Sequence, residues 1–337
     1  MKMNLSTTER PVATMKAIVY EKYGSFDVLE PREIARPIVK SKDVLVRVHA
    51  AAVHIGDCFA VKGAPYMIRT VSGFLKPKYG IPGFDFAGRV EAVGDEVTRF
   101  RPGDEVFGAA NGTCAEYVST QENRIALKPT NLTFEEAAAL PTSGTPALQA
   151  IRDVGKVRPG QKVLINGASG GVGTFAVQIA RAYGAEVTGV CGAKNVDMVR
   201  SLGADQVIDY SREDFTRAER RYDFILDNVE NRSLSDMRRA LTPTGTLLFN
   251  SGTGATGLAM LVRLLKPLLL SPFVRQNLRR HITTPNHDDL VELKELAESG
   301  KLKPVIDRTY ALSETAAALA YIEGGHARGK VVISISA

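Results

Sequence analysis

Two textures of hydrophobic and polar positions follow one another along this chain. From Met15 the pattern is short and strand-like. Lys16–Tyr20 reads as a strand, and Asp43–Ala50 alternates with period two, the mark of a strand buried on one face. Glycine and proline then punctuate densely, at Gly56, Gly63, Pro65, Gly73, Pro77, Gly80, Pro82 and Gly83. Phe86–Gly94 resumes as strand, and Arg101–Phe107 reads as a turn feeding another. Many short strands joined by such turns predict a small barrel.

The second texture begins near Asn131. Thr133 can cap a helix whose first turn carries Glu135 and Glu136, where acids suit the helix dipole. Short apolar runs at Lys162–Ile165, Glu186–Val190, Gln206–Asp209, Phe224–Asp227 and Thr246–Asn250 then read as strands. Asn195–Leu202 and Arg232–Ala240 read as helices between them. Such alternation predicts a doubly wound parallel sheet. From Lys301 the strand-like texture returns, at Val305–Ile306, Thr309–Tyr310 and Lys330–Ile335, and should complete the first domain.

The second texture centres on Gln161–Gly173, QKVLINGASGGVG. An apolar run, a glycine-rich turn and an apolar-periodic segment follow directly on one another. A strand, turn and helix in that order present free backbone N–H groups and a positive helix end to a phosphate. Glycine lets the backbone approach the anion closely.

Composition narrows the classes. A chain of 337 residues favours two domains. With 44% apolar and 24% charged residues it is an ordinary globular chain. A net charge of +6 from 43 basic and 37 acidic residues is too balanced for a nucleic-acid binder. Cys58, Cys114 and Cys191 are far apart and lack CxxC spacing, which argues against disulfides or a cysteine-built zinc site and fits a reducing cytoplasm. No apolar run precedes Val12, so no secretory signal is expected, and residues 1–14 read as a polar extension.

Segment 258–281 is unusual. No Asp or Glu lies between Asp236 and Asp288, while seven Lys or Arg do. Arg263, Lys266 and Pro267 interrupt its apolar run, so a membrane span is not expected. It reads as a helix over the cleft or at a dimer face, ahead of a basic helix lying on a membrane.

Several fragments in order carry a resemblance: MKAIVYEKYG, GFDFAGRVEAVG with RPGDEVFG, NGASGGVGTFAVQIARAYGAEVTGV, SLGADQVIDY and GKVVISI. Through them the chain resembles the medium-chain dehydrogenase/reductase superfamily, and within it the zinc-free quinone oxidoreductase-like group. The resemblance implies an α/β architecture: a GroES-like β-barrel from residues 15–132 and 286–337, and a Rossmann domain from 133–285. It also implies hydride transfer from NADPH, and a homodimer joined through the sheet edge near Thr246–Asn250.

By the same resemblance, Gly170, Gly171, Val172 and Gly173 form the pyrophosphate turn, with Thr142, Ala168, Gly192, Tyr210, Asn228, Gly252 and Lys330 as further cofactor positions. Lys330 could equally be a surface residue at a strand end. The second parallel strand ends in Cys191-Gly192-Ala193-Lys194, with no carboxylate to bond a ribose 2′-hydroxyl. Lys194 would attract a 2′-phosphate, which narrows the cofactor to NADPH, unless it is a solvated surface charge.

Zinc ligands of the superfamily are replaced here. His54 stands for the first cysteine, Phe84-Asp85 for a His-Glu pair, and Thr142 for the third ligand. Phenylalanine cannot ligate, so no metal is expected. Without a Lewis acid, reduction of a quinone or enone suits the site better than alcohol oxidation. His54 is then the candidate donor to the carbonyl oxygen, or else a packed wall of the pocket. Asp57 holds the loop or orients the cofactor ribose. Tyr66 and Tyr79 lie in the loop expected to roof the pocket, to donate a proton or to stack on a flat substrate. Two other readings stand beside this one: a zinc alcohol dehydrogenase using His54, Cys58 and Asp85, and a non-catalytic NADPH-binding protein recruited to membranes through 258–281.

Overall fold

The alternating N-terminal half folds into strands, as its pattern implies. A computed structural model describes residues 13–250, 274–281, 283 and 285–335. In chain order the first strands are β1 (Thr14–Val19), β2 (Glu30–Ala35), β3 (Asp43–Val53), β4 (Asp85–Val93), β5 (Glu105–Ala109), β6 (Tyr117–Gln121) and β7 (Ile125–Leu127). The parallel region supplies β8 (Lys162–Asn166), β9 (Glu186–Cys191), β10 (Gln206–Asp209), β11 (Tyr222–Asp227), β12 (Leu241–Phe249) and β13 (Asn277–Arg280). The tail adds β14 (Ile306–Ala311) and β15 (Lys330–Ser334).

Seven of these strands form the GroES-like sheet, in the order β14-β15-β3-β4-β5-β7 with β6 also on β3. β3 is its centre and runs three residues beyond the alternating stretch. Those residues, Ala51-Ala52-Val53, are at most 1% exposed, so both faces of the strand end are buried and alternation stops. β15 pairs antiparallel with β3, Val331 against Val53. The chain's end therefore completes the sheet begun at its start.

The second sheet is parallel, in the order β10-β9-β8-β11-β12-β13. This is the doubly wound order, with its reversal between β8 and β11. The helices fall near the expected stretches, at Val196–Ser201 and Leu234–Arg239, and Thr133 caps Phe134–Ala138 with a capping box to Glu136. One expectation is corrected here. Thr246–Phe249 is not at the sheet edge, because β13 pairs with it, Thr246 opposite Asn277 and Phe249 opposite Arg280. Among the described residues the edge strand on this side is β13.

Two helices in the C-terminal part carry no signal strong enough to be read beforehand. His287–Glu298 starts at Asn286, whose side chain accepts a hydrogen bond from the N–H of Asp289. Thr315–Glu323 packs on Ile55–Lys62 and lies between β14 and β15 in the chain. Helix Pro141–Gln149 packs against both Gly171–Ala182 and His287–Glu298. Gly144 admits Leu293 there; a Cβ on it would stand 3.1 Å from that side chain. One apolar core runs under both sheets, joining Ala50 and Phe107 to Ile165 and Phe175. No helix among the described residues is long and apolar enough to cross a membrane. Of segment 258–281, only 274–281 falls among the described residues.

Candidate active site

The turn after β8 is built for close approach. The N–H groups of Gly167 and Ala168 both donate to the carbonyl of Val190, at 3.1 and 2.9 Å, tying the turn to β9. Gly167 has φ of +77°, a region open to glycine at little cost. A Cβ on Gly173 would stand 2.1 Å from the Gly167 carbonyl oxygen, so only glycine fits. Gly170 caps helix Gly171–Ala182 with no side-chain bond, and no acid lies in the first turn. The first-turn N–H groups thus stay free for an anion, and the helix dipole favours one. Ser143 and Lys330 flank the turn; a Cβ on Gly171 would lie 3.1 Å from Ser143 Oγ and 3.6 Å from Lys330 Cδ. This cradle fits the pyrophosphate of a dinucleotide.

Past β9 the adenosine-side candidates come together. The Tyr210 hydroxyl would touch a Cβ on Gly192 at 3.1 Å, and Tyr210 N–H donates to the Cys191 carbonyl at 3.1 Å. The Tyr210 ring is 57% exposed, leaving a face free. Lys194 sits in the single turn Ala193–Asn195, exposed, and makes no ion pair among the described residues. At the reversal between β8 and β11 a chain of amides crosses the crevice. Asn166 Nδ2 donates to Asp227 Oδ1 at 2.8 Å, Asn228 Nδ2 to the Asn166 carbonyl at 3.1 Å, and Asn250 Nδ2 to Asn228 Oδ1 at 2.8 Å. Asn166 and Asp227, which end the apolar strands β8 and β11 at this switch point, were not singled out in the sequence. Gly252 lies outside the described residues.

The substrate end is organised by two buried carboxylates. His54 begins helix Ile55–Lys62, and its Nδ1 accepts the Gly56 N–H at 2.8 Å. The proton of the neutral ring therefore sits on Nε2, which makes no hydrogen bond among the described residues. The ring stacks on Phe84 with centroids 5.6 Å apart, and the side chain is 26% exposed. Asp57 is fully buried. Its Oδ2 accepts the His54 N–H at 2.8 Å and its Oδ1 the Gly83 N–H at 2.9 Å. Burial foremost raises this carboxyl above the ordinary value, against the opposing pull of His54. Both oxygens are committed and none is exposed, so Asp57 is a loop-holding residue and not a reacting group.

Asp85 is the second buried carboxylate. Its Oδ2 accepts Thr142 Oγ1–H at 2.6 Å and Lys330 Nζ at 2.9 Å, and its Oδ1 accepts the Thr142 N–H at 2.9 Å. Asp85 is wholly buried and Lys330 is 2% exposed. The reading of Lys330 as a surface residue is thus corrected. Its ammonium belongs to Asp85, while its methylenes and Gly329 back the glycine turn, Gly329 N–H donating to Ser169 O at 2.9 Å. Thr142 likewise presents its hydroxyl proton to Asp85. A carboxylate is therefore the hub joining β4, β15 and helix Pro141–Gln149, a role the sequence did not announce.

Among the described residues the ring contact of His54 is with Phe84, and Tyr66 and Tyr79 face solvent. Tyr66 is 79% exposed, with the Arg69 guanidinium 4.7 Å over its ring. Tyr79 is 45% exposed beside Lys78. His54, Cys58 and Asp85 do not form a ligand set. Cys58 Sγ donates to the Leu319 carbonyl at 3.5 Å inside the apolar core, and burial pushes its thiol up to about 12. Among the described residues no three His, Cys, Asp or Glu side chains could share a metal ion.

Comparison with known proteins agrees with this geometry. Residues 40–150 match the family model for the alcohol dehydrogenase GroES-like domain, and 202–333 that for zinc-binding dehydrogenases. The mitochondrial NAD(P)H oxidoreductase RTN4IP1 of Mus musculus is 36% identical, covering 98% of this chain and 92% of its own length. The chloroplastic NADPH-dependent alkenal/one oxidoreductase of Arabidopsis thaliana is 33% identical over 95% of this chain and 79% of its own. The solved quinone oxidoreductase of Coxiella burnetii superposes with a TM-score of 0.82 at 29% identity, covering 96% of this chain and 100% of that one. Glycine turn, doubly wound sheet, GroES-like sheet and these likenesses together place the chain in the medium-chain dehydrogenase/reductase superfamily, in its quinone oxidoreductase-like group.

Proposed function

We propose that this protein is an NADPH-dependent reductase of quinones or α,β-unsaturated carbonyls that works without zinc. The observation that carries the reading is the commitment of Asp85, at one of the positions that ligate zinc in the superfamily, to the Lys330 ammonium, with Thr142, at another, donating its hydroxyl proton to Asp85. A cation already fills the charge requirement there, and a thiolate or imidazole set is missing among the described residues. Relatives named quinone and alkenal/one oxidoreductases support the substrate class.

The dinucleotide, when bound, supplies a hydride. This chain's own residues do the rest. The first-turn N–H groups from Gly171 to Gly173 hold the pyrophosphate. Tyr210 and Gly192 form a wall for the adenosine, and Lys194 offers a positive charge to a 2′-phosphate where an acid would repel it. The Nε2–H of His54 is the donor for an oxygen that gains negative charge, and a solvent proton completes the reduction. Asp57 keeps the His54 turn in register.

The test is steady-state oxidation of NADPH and NADH with quinones, enals and ketones, with and without chelator. Turnover should follow quinones or enones, survive the chelator and leave saturated ketones untouched. Lys194→Asp should raise KM for NADPH far more than for NADH. Equal effects on both would remove the 2′-phosphate assignment, and stoichiometric zinc lost together with activity would remove the zinc-free reading.

A further inference from the structure

The excursion between Asp57 and Asp85 contains a second surface whose chemistry the reductase site does not use. It leaves the site's frame through helix Ile55–Lys62 and returns at Gly83, which donates to Asp57. No Asp or Glu occurs in it, against four Lys or Arg. At its outermost point Phe74 and Leu75 are 77% and 87% exposed, side by side. Two adjacent large apolar side chains held in water this completely are uncommon on a free surface.

The tip is held out by its own base. The Lys78 N–H donates to the Ser72 carbonyl at 2.7 Å, closing the turn. Gly73 sits at φ +115°, and a Cβ on it would lie 2.2 Å from the Lys76 carbonyl oxygen. The Tyr23 hydroxyl donates to the Gly73 carbonyl, and Arg69 stands over the Tyr23 ring at 4.5 Å. Phe74 and Leu75 therefore cannot fold back on the body without breaking this closure. Just behind them are Lys76 and Lys78, exposed and without ion pairs among the described residues, and the amphipathic ring of Tyr79.

We infer that residues 73–79 form a foot that docks on a bilayer containing anionic lipid: Phe74 and Leu75 enter the interface and Lys76 and Lys78 pair with the headgroups. The layering is that of an interfacial anchor, apolar at the tip with cations and an aromatic ring one step back. A protein partner fits less well. Two side chains offer on the order of 300 Å², whereas a stable protein interface takes about 800 Å² from each side. The excess of positive charge selects an anionic surface. The inference rests on the proposed reading in one respect, that an enzyme so docked would draw lipophilic quinones or enones directly from the bilayer.

Binding is tested without turnover, by flotation of the full-length protein with vesicles of phosphatidylcholine alone and with added phosphatidylglycerol. Binding should require phosphatidylglycerol and weaken with salt. Reversing two lysines removes at least two favourable charges, so K76E/K78E should bind at least about tenfold more weakly. F74S/L75S should lose binding by a similar factor, while both variants keep wild-type rates on a water-soluble quinone. Vesicle binding unchanged in both variants, or sedimentation showing that the tip mediates self-association with no lipid binding, would overturn the inference. Lipid binding without quinone turnover would leave the foot intact and sink the substrate reading instead.

Discussion

Replacing Asp85 by asparagine tests the hub of the site most directly. The side chain keeps its shape, but the amide cannot match its partners. One carboxylate oxygen accepts Thr142 N–H, and the other accepts Thr142 Oγ1–H and Lys330 Nζ. Whichever way the amide turns, its NH₂ group faces a donor. The Lys330 ammonium, 2% exposed, also loses its only ion-pair partner among the described residues. Removing one member of a buried pair costs about 3–5 kcal/mol, since the other is left uncompensated. Lys330→Met should cost less, roughly 2 kcal/mol, because Asp85 keeps both bonds from Thr142. Combining the two substitutions removes the stranded charge, so the double variant should be more stable than the sum of the singles implies, by about 2 kcal/mol. The assay is urea unfolding of the three variants and the wild type, comparing midpoints at constant slope. An Asp85→Asn cost below about 1 kcal/mol, or strict additivity, would refute the reasoning.

Other outcomes follow from the same geometry. Gly173→Ala places a methyl against backbone 2.1 Å away, so NADPH affinity measured by fluorescence titration should fall at least about tenfold while circular dichroism stays native. His54→Asn should retain far more turnover than His54→Ala, because an amide can accept the Gly56 N–H and still donate; a lost donor to a developing oxyanion costs about 10²–10³-fold. Equal losses in the two variants would assign His54 to packing. Burial pushes Cys58 up to about 12 and Cys191 up to about 11, and raises Cys114 further. Thiolate therefore forms only as pH climbs toward those values, and native protein at pH 8 should show almost no reaction with a thiol reagent until denaturant is added.

The architecture was legible because local rules and tertiary environment agree along most of it. Val163-Leu164-Ile165 is apolar at every position because a parallel strand is covered on both faces. Gly167 and Gly173 are glycines for backbone reasons that hold in any neighbourhood, a positive φ and a 2.1 Å approach. Lys194 stood out because the doubly wound order fixes where strand β9 ends, whereas Tyr210 was singled out through the family resemblance. Helix His287–Glu298 was not legible. It is mostly polar and charged and buries a narrow apolar stripe of Leu290, Leu293 and Ala297, too thin to stand out.

By itself the sequence determined the two sheets and the phosphate turn, since each depends on periodicity or on glycine sterics. Only the tertiary structure decided what surrounds Asp85 and Thr142. Asp85 and Lys330 are 245 residues apart in the chain, and nothing local couples them. They meet because β15 crosses back to β3, beside β4, and seals the pair from water. Long-range contacts likewise decided that Asp57 holds its loop, by accepting the Gly83 N–H, and that β13 lies outside β12 in the other sheet. Which strand lies outermost, and which carboxylate finds a cation, are properties of long-range packing and have no signature in any one stretch of chain.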